Sequence, residues 1–180
     1  MTKPRIWTRP LEEMARTDLQ ACASLWSAVF PDVGDVDQVM ARCRDLIGNL
    51  RYRACVIHGV HLDDRLVAAA RSFVRTIATD AGDKRVLALA GVCTDPAYRL
   101  RGYAREVVSA AFARLDDRLQ VCLFQTDVPA FYRRLGARPV ANAVIDSSEC
   151  GRPFWSSHVM IYPAGAAWPA STIDLQGPAW

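Results

Sequence analysis

The sequence predicts a mixed α+β domain with helices on the faces of one sheet. Apolar residues recur at helical spacing up to about residue 50, and beyond it the pattern changes to the alternation typical of strands. A nearly continuous apolar segment at 85–94 is followed by an amphipathic helix and a further strand. This order predicts two parallel strands joined by a right-handed helical crossover at the centre of the sheet. The length suits one domain, which we expect to span 1–180.

The N-terminal part of the chain predicts one strand followed by two helices. The segment 4–13 alternates loosely between apolar and polar residues, which predicts a first strand that Pro10 closes. Apolar stripes with a period near 3.6 residues run through 17–30 and 35–50, which predicts two amphipathic helices. The candidate N-terminal caps are Thr17 with Gln20, as a capping box, for the first helix and Asp35 for the second.

The rest of the chain predicts several strands and two shorter helices. Turn residues at 63–65 and 79–84 separate segments that alternate with the period of a strand. Gly136 follows a short helical segment, where a left-handed cap is expected. The tail at 164–180 is expected to be extended. The expected strands are 53–60, 66–78, 85–94, 120–127, 138–147 and 156–163, and the expected helices are 103–119 and 128–136.

The composition indicates a cytoplasmic protein of low net charge. Lys and Arg number 22 against 19 Asp and Glu, so a net charge of +3 gives little support to a polyanionic partner, and we expect no nucleic acid. The longest clean apolar run, 86–93, is far shorter than the ~20 residues that a membrane span needs. The N-terminus carries no apolar signal region. We therefore expect no membrane partner.

The cysteines and histidines do not form a metal-binding pattern. None of the six cysteines belongs to a C-x-x-C pair, and most lie in apolar segments, where a thiol behaves as a small hydrophobic group. His58 and His61 are spaced as H-x-x-H, but they lie where a strand runs into a turn, with no third ligand nearby. We expect reduced, buried thiols and no metal.

The segment "TDPAYRLRGYAREVV" at 94–108 carries the strongest chemical signal. It joins the apolar strand to a helix, whose first N–H groups and partial positive charge favour an anion, above all a phosphate. Gly102 allows close approach of backbone, and Arg99, Arg101 and Arg105 add positive charge. The Walker and dinucleotide-binding fingerprints are both absent. On these residues alone, a phosphate site and a solvated basic turn that caps a helix are equally open.

Two motifs make the chain similar to the GCN5-related N-acetyltransferase (GNAT) superfamily. The residues "RLRGYA" at 99–104 match R-x-x-G-x-[GA], the pyrophosphate-binding motif of that superfamily, and "VPAFYRRLGARPV" at 128–140 resembles its second signature. The order of predicted elements over about 5–163 also agrees. The resemblance implies a mostly antiparallel, twisted central sheet with helices on both faces, in which the fourth and fifth strands are parallel and splay apart.

The resemblance implies acetyl-CoA as the donor and assigns residues to it. Backbone amides at 99–104 would bind the pyrophosphate, and main-chain groups at 92–94 would pair with the pantetheine arm as an added strand would. Tyr132 matches the residue that protonates the CoA sulfur as a general acid, and the amide of Cys93 is the expected oxyanion donor. The implied donor-binding residues are Val92, Cys93, Thr94, Arg99, Leu100, Arg101, Gly102, Tyr103, Ala104 and Tyr132.

The general base is not evident from the sequence. Many relatives carry a glutamate on the strand equivalent to 85–94, which has no acid here. A water chain without a single base is one solution, and the candidate carboxylates are Asp146, Glu149, Asp174 and the C-terminal carboxylate of Trp180. Cys93 and Cys122 suggest a thioester on the enzyme, but no His or Asp is placed to activate either thiol. Direct attack by the amine in a ternary complex is therefore the expected route.

The C-terminal part resembles a subgroup that includes the aminoglycoside 2'-N-acetyltransferases and, more distantly, the nodulation acyltransferases. This resemblance implies a primary amine of a small molecule as the acceptor, bound in part by Asp174 and Trp180. A carboxylate beside an aromatic ring can pair with an ammonium group and stack on it, although a tail that only packs on the sheet is also open. Further candidates for the acceptor cleft, or for the core, are Trp26, Phe30, Phe154 and Trp155.

Three alternatives remain open at this point. The absence of an acid on the strand 85–94 is compatible with an acyl-CoA-binding regulatory module that has no turnover. The small residues Ala88, Ala90 and Gly91 would leave room for a donor with a longer acyl group. A homodimer is also open.

Overall fold

The computed structural model describes residues 3–147, 152–153 and 158–177. The chain forms two compact units, one made of Met1–Phe73 with Gly91–Ala113 and the other of Val74–Ala90 with Arg114–Trp180. Two long strands, β3 (Arg65–Thr79) and β4 (Gly82–Thr94), each contribute residues to both units. The single domain over 1–180 stays a prediction.

The first unit combines three helices with the N-terminal strands. β1 (Arg5–Pro10) pairs antiparallel with β2 (Arg53–Leu62) from Arg5↔His61 to Pro10↔Val56, and β2 pairs in turn with β3. The helices are α1 (Arg16–Val29), α2 (Val36–Leu46) and α3 (Tyr103–Phe112). The expected helix at 103–119 is shorter than its sequence pattern, because a turn closed by an Asp116↔Leu119 bridge follows it.

The two N-terminal helices begin in different ways. Asp35 caps α2 as predicted: its carboxylate accepts from the Gln38 N–H at 2.9 Å, and the Gln38 side chain accepts from the Asp35 N–H at 3.0 Å. The capping box expected at Thr17 and Gln20 is wrong, since α1 begins at Arg16 after Ala15, which offers no side-chain cap. The apolar stripe of α1, rather than its first turn, therefore secures this helix.

The second unit is a sheet with the strand order β6-β9-β5-β4-β3-β10-β7-β8. Most of its neighbours are antiparallel; β4 and β5 form the expected parallel pair, and β10 pairs parallel with β7. Its core joins apolar residues from β3, β4, β5, β7, β9 and β10. The remaining elements are β5 (Cys122–Thr126), α4 (Pro129–Arg133), β6 (Arg138–Pro139), β7 (Val144–Asp146), β8 (Arg152–Pro153), β9 (His158–Tyr162) and β10 (Ile173–Asp174).

The C-terminal tail is anchored in this sheet. The expected extended segment forms β10, where Asp174 pairs with Ala78 of β3. Ile173 and Leu175 are fully buried, and each such side chain contributes roughly 1.5–3 kcal/mol by leaving water. Buried Arg75 donates to the Leu175 carbonyl from Nε at 3.0 Å and from a terminal nitrogen at 2.7 Å. The tail segment from Ile173 to Leu175 is thus part of the core.

These elements confirm the fold class predicted from sequence. The sheet is mixed and mostly antiparallel, the fourth and fifth strands are parallel, and helices accompany it. One detail differs: the strand expected at 138–147 is two short strands, β6 and β7.

Replacing Asp35 with Ala should destabilise the protein, whereas replacing Thr17 should not. Loss of the α2 cap costs about 1 kcal/mol, which lowers Tm by roughly 2–4 °C in a chain of this size. Thr17→Ala is the matched control, because Thr17 is exposed and does not cap α1. Calorimetric melting of both variants tests this, and equal losses would contradict the capping geometry.

Candidate active site

The turn between β4 and α3 is tightly fixed on its N-terminal side. Asp95 accepts from the Ala97 N–H at 3.0 Å and so caps the 3₁₀ turn at Pro96–Tyr98. Arg65, the first residue of β3, donates to the other oxygen of Asp95 at 2.6 Å. The hydrogen bond from Ala97, together with the guanidinium of Arg65, holds the pKa of Asp95 below its usual range. The carboxylate is therefore ionised and holds the start of the turn.

The turn then passes through two left-handed residues. Leu100 has φ +64° and a fully exposed side chain, and Gly102 has φ +88° and ψ −3°. Gly102 is the N-cap of α3, and no side chain caps the helix there. A Cβ at Gly102 would meet open space, so what favours glycine here within the chain is its left-handed backbone conformation. Left-handed and helical residues in succession form a concavity of N–H groups suited to an anion.

The arginine side chains lie beside this concavity and are held by the protein itself. The guanidiniums of Arg101 and Arg65 each lie over the ring of Tyr98, at 5.4 and 5.3 Å from its centroid. Arg99 donates from Nε to the Thr94 carbonyl at 3.4 Å. The residues Tyr98, Arg101 and Tyr103 line an open cleft with the turn at 62–65. Sequence reasoning missed Arg65, because a pairing across 30 positions leaves no local signal.

The end of β4 departs from regular strand geometry. Gly91 has φ +59°, the left-handed conformation found in the first residue of a common type of bulge. Its carbonyl accepts from the indole N–H of Trp26, on α1, at 2.7 Å. Cys93 is buried, and the buried hydroxyl of Thr94 has no hydrogen-bond partner in the described part of the chain. Trp26 itself is only 5% exposed, and Phe30, which ends α1, is half-buried.

In the second unit, β4 and β5 pair over a short stretch. The parallel register covers Leu87↔Cys122 and Ala88↔Leu123, although both strands continue beyond these pairs. This short ladder is what a splay between the fourth and fifth strands requires.

Tyr132 is held on α4 by aromatic contacts. Its ring lies 4.6 Å from that of Phe124 on β5 and 4.8 Å from that of Phe131, centroid to centroid. The side chain is only 5% exposed. Burial, together with the neighbouring Cys122 thiol, raises the pKa of Tyr132 far above its usual value. The hydroxyl therefore stays protonated throughout the neutral range.

Comparison with known proteins places this chain in a family. A family model described as "Acetyltransferase (GNAT) domain" matches residues 10–140. The chain belongs to the GNAT acetyltransferase family. As a GNAT it is an acyltransferase, and acyl-CoA is the donor that its fold binds. A search of the curated proteins matched none of them.

Solved structures agree on the fold of this GNAT. An acyl-CoA N-acyltransferase from Pseudomonas aeruginosa aligns with a TM-score of 0.62 at 16% identity, over 88% of this chain and 99% of that one. The aminoglycoside N-acetyltransferase AAC(6')-Iy in complex with CoA aligns at 0.56 and 16%, over 74% and 85%. A "probable N-acyltransferase" from Enterococcus faecalis aligns at 0.62 and 15% over 77% of this chain, which spans 33% of that protein.

The carboxylates considered as a base in this GNAT are hydrogen-bonded, buried or outside the described residues. Burial raises the pKa of Asp174, but hydrogen bonds outweigh it and hold the pKa below the usual range. They come from the Ser147 side chain and from the N–H groups of Gln176, at 2.8 Å, and Ser147, at 3.0 Å. Asp146 is buried on β7. The sequence candidates outside the described residues are Glu149, Phe154, Trp155 and Trp180.

Cys93 and Cys122 of the GNAT are buried and protonated. Burial raises the pKa of the Cys93 thiol to about 12, with only partial relief from the Ala69 N–H and Arg99. Burial likewise raises the pKa of Cys122 well above its ordinary value. Such thiols are poor nucleophiles at neutral pH, which argues against a thioester on the enzyme.

Neither a metal-binding cluster nor a membrane-spanning helix occurs among the described residues. Within the ranges that the structure covers, no group of three or more His, Cys, Asp or Glu side chains could hold a metal ion. The helices there are all too short or too polar to cross a membrane.

Alkylation should spare both Cys93 and Cys122 in the folded GNAT. Iodoacetamide at mildly alkaline pH, followed by mass spectrometry, should label them only after denaturation, because the thiolate is the reactive form. The variant Cys93→Ala should keep its acyl-transfer rate within about threefold, since it removes no nucleophile and retains the backbone amide. Rapid labelling of folded Cys93, or loss of turnover in Cys93→Ala, would instead support a mechanism in which Cys93 forms a thioester.

Proposed function

We propose that this GNAT transfers an acetyl group from acetyl-CoA to a primary amine of a small molecule by direct attack in a ternary complex. The observation that carries the proposal is the turn at 99–104. Its left-handed Leu100 and Gly102 lead into a helix start without a side-chain cap. Such a start stabilises a phosphate through its N–H groups and partial positive charge.

Donor binding divides between this turn and the end of β4. Backbone amides from Arg99 to Ala104 bind the pyrophosphate of CoA, and the arginine side chains act at its periphery. Main-chain groups of Val92, Cys93 and Thr94 pair with the pantetheine arm. The left-handed Gly91 supports this assignment because it departs from regular strand geometry within β4, beyond the pairs that β4 forms with β5 at Leu87 and Ala88. The buried Thr94 hydroxyl is a donor that still needs a partner.

Tyr132 protonates the leaving thiolate of CoA. A tyrosine whose pKa is raised by burial keeps its proton at neutral pH, yet it transfers that proton to a developing thiolate that it contacts. The N–H of Cys93 donates to the oxyanion of the tetrahedral intermediate. Because the thiols are buried and protonated, the amine rather than a cysteine attacks the acetyl carbon.

The incoming amine loses its proton to water or to a carboxylate outside β4, which carries no acid at 85–94. The C-terminal carboxylate of Trp180 is a candidate for this base. Asp174 is less suited, because its lowered pKa makes the carboxylate a weak proton acceptor. We assign Asp174 instead to attraction of a cationic acceptor, with Trp180 and Phe30 as candidate contacts.

The acceptor class follows from charge and from one neighbour. The aminoglycoside N-acetyltransferase with the same fold has, by its name, an aminoglycoside as its acceptor. An ionised Asp174 suits a ligand of this charge. A panel of polyamines, aminoglycosides and amino acids, each offered with acetyl-CoA and with longer acyl-CoA donors, tests acceptor and donor together. The cytoplasmic location stays a prediction.

Gly102→Glu should weaken acetyl-CoA binding about tenfold or more, which corresponds to about 1.4 kcal/mol per factor of ten. The added carboxylate repels the pyrophosphate, and a side chain strains the left-handed backbone. Isothermal titration calorimetry of acetyl-CoA measures the effect.

The control for this titration is Gly82→Glu. Gly82 is also exposed, has φ +99° and would place a Cβ in open space, but it is the first residue of β4, at the opposite end of the strand from the turn at 99–104. Both variants carry the same strain and charge, so only Gly102→Glu should lose affinity. Equal affinity in the two variants would contradict the pyrophosphate site.

Tyr132→Phe should lower kcat on the order of 10²-fold while the Kd for acetyl-CoA stays within a small factor, because the hydroxyl acts on the leaving group. Tyr162→Phe removes a hydroxyl from a half-buried tyrosine of the same unit and serves as the control. Steady-state rates of both variants, measured across pH, test whether Tyr132 is the general acid. An unchanged rate for Tyr132→Phe at every pH would remove the acid assignment.

A further inference from the structure

We propose that Trp26 is a positioning residue that holds the end of β4 in the shape that receives the pantetheine arm. This inference rests on the proposed function, since it concerns how the donor site is kept in shape. It assigns Trp26 a role toward the donor instead of the acceptor contact that sequence reasoning predicts.

A single hydrogen bond links α1 to β4 at the point where the strand changes conformation. The Trp26 indole N–H donates to the Gly91 carbonyl at 2.7 Å, and Gly91 has φ +59°. A donor at this distance orients the peptide that follows Gly91, which is the first of the peptides that lead to Val92, Cys93 and Thr94. The direction of that main chain therefore depends on Trp26.

The fit between the two residues is close on both sides. A Cβ at position 91 would lie 3.0 Å from Nε1 of Trp26 and 3.4 Å from its Cε2. Gly91 is therefore required twice, once for its left-handed backbone and once for the space that the indole occupies. Trp26 is 5% exposed, and the buried face of α1 that carries it also includes Cys22 and Leu25. A ring held in this way fixes the carbonyl rather than following it.

A positioning role separates binding of the pantetheine arm from binding of the pyrophosphate. The turn at 99–104 has its own supports, Asp95 and Arg65, which do not involve Trp26. Loss of the indole N–H should therefore weaken ligands that carry pantetheine and leave ligands that carry only the pyrophosphate unaffected.

Trp26→Phe tests this separation, because it keeps an aromatic ring and removes the N–H. We expect the Kd for acetyl-CoA to rise roughly three- to tenfold, as for loss of one buried hydrogen bond. The Kd for adenosine 5'-diphosphate, which has a pyrophosphate but no pantetheine, should stay unchanged. Trp7→Phe is the matched control: the Trp7 indole donates to Nδ1 of His61 at 2.8 Å in the same unit, but it lies on β1. It should bind both ligands as the wild type does.

Gly91→Ala provides a second route to the same test, whether or not Trp26→Phe folds. Its methyl group would push against the indole, so the same selective loss of acetyl-CoA affinity is expected. Because the smaller phenyl ring introduced by Trp26→Phe relieves this clash, the double variant should lose less than the sum of the two single losses.

Three results would overturn the inference. Unchanged acetyl-CoA affinity in Trp26→Phe is one, and equal weakening of both ligands, which indicates general damage, is another. A raised KM for the amine with unchanged acetyl-CoA affinity is the third, and it would return Trp26 to the acceptor cleft. All three leave the proposed function intact. A wild-type protein that bound no acetyl-CoA would instead overturn the proposed function, and this inference with it.

Discussion

The chemistry proposed for this GNAT depends on a change of backbone conformation within one strand. From Val86 to Ala90 the residues of β4 are buried in succession, as in the middle of a sheet. At Gly91 the backbone becomes left-handed, and the residues that follow lead toward the turn before α3. In a strand that stayed regular, the N–H and C=O groups would all form hydrogen bonds with the neighbouring strands, and none would remain for a ligand.

The turn that follows is built by backbone geometry and only secondarily by charge. A left-handed conformation costs a residue such as Leu100 roughly 1–2 kcal/mol, and its exposed side chain gains nothing from packing. The surrounding hydrogen bonds from Ala97 and Arg65 to Asp95 offset this cost and keep the turn preformed. A preformed turn loses less entropy when it binds an anion.

The sequence predicted the elements that have a strong local signal. The period of apolar residues identified α1, α2 and the central strands, and Gly136 was recognised as a left-handed position from its place after a helical segment. The cap at Asp35 was found because its partner is three residues away, whereas Thr17 offered the same pattern inside the first turn of α1 instead of before it. Short strands such as β10 escaped prediction, since two residues carry no periodicity.

The sequence motifs of the candidate site could be predicted, but the long-range hydrogen bonds that hold those motifs in place could not. The pyrophosphate motif and Tyr132 could be predicted because each belongs to a short contiguous sequence motif. The bond between Trp26 and Gly91 spans 65 positions, and that between Arg65 and Asp95 spans 30. Contacts of this kind arise only from the tertiary arrangement of the chain, so one sequence cannot reveal them.

The burial of the thiols has a consequence for refolding. In the folded state Cys22, Cys43, Cys55, Cys93 and Cys122 are shielded, and oxidants have little access to them. Unfolding exposes all six cysteines of the chain with ordinary acidities, so non-native disulfides form in competition with refolding. Without a reductant, the working lifetime of the enzyme is then set by how fast it unfolds rather than by its equilibrium stability.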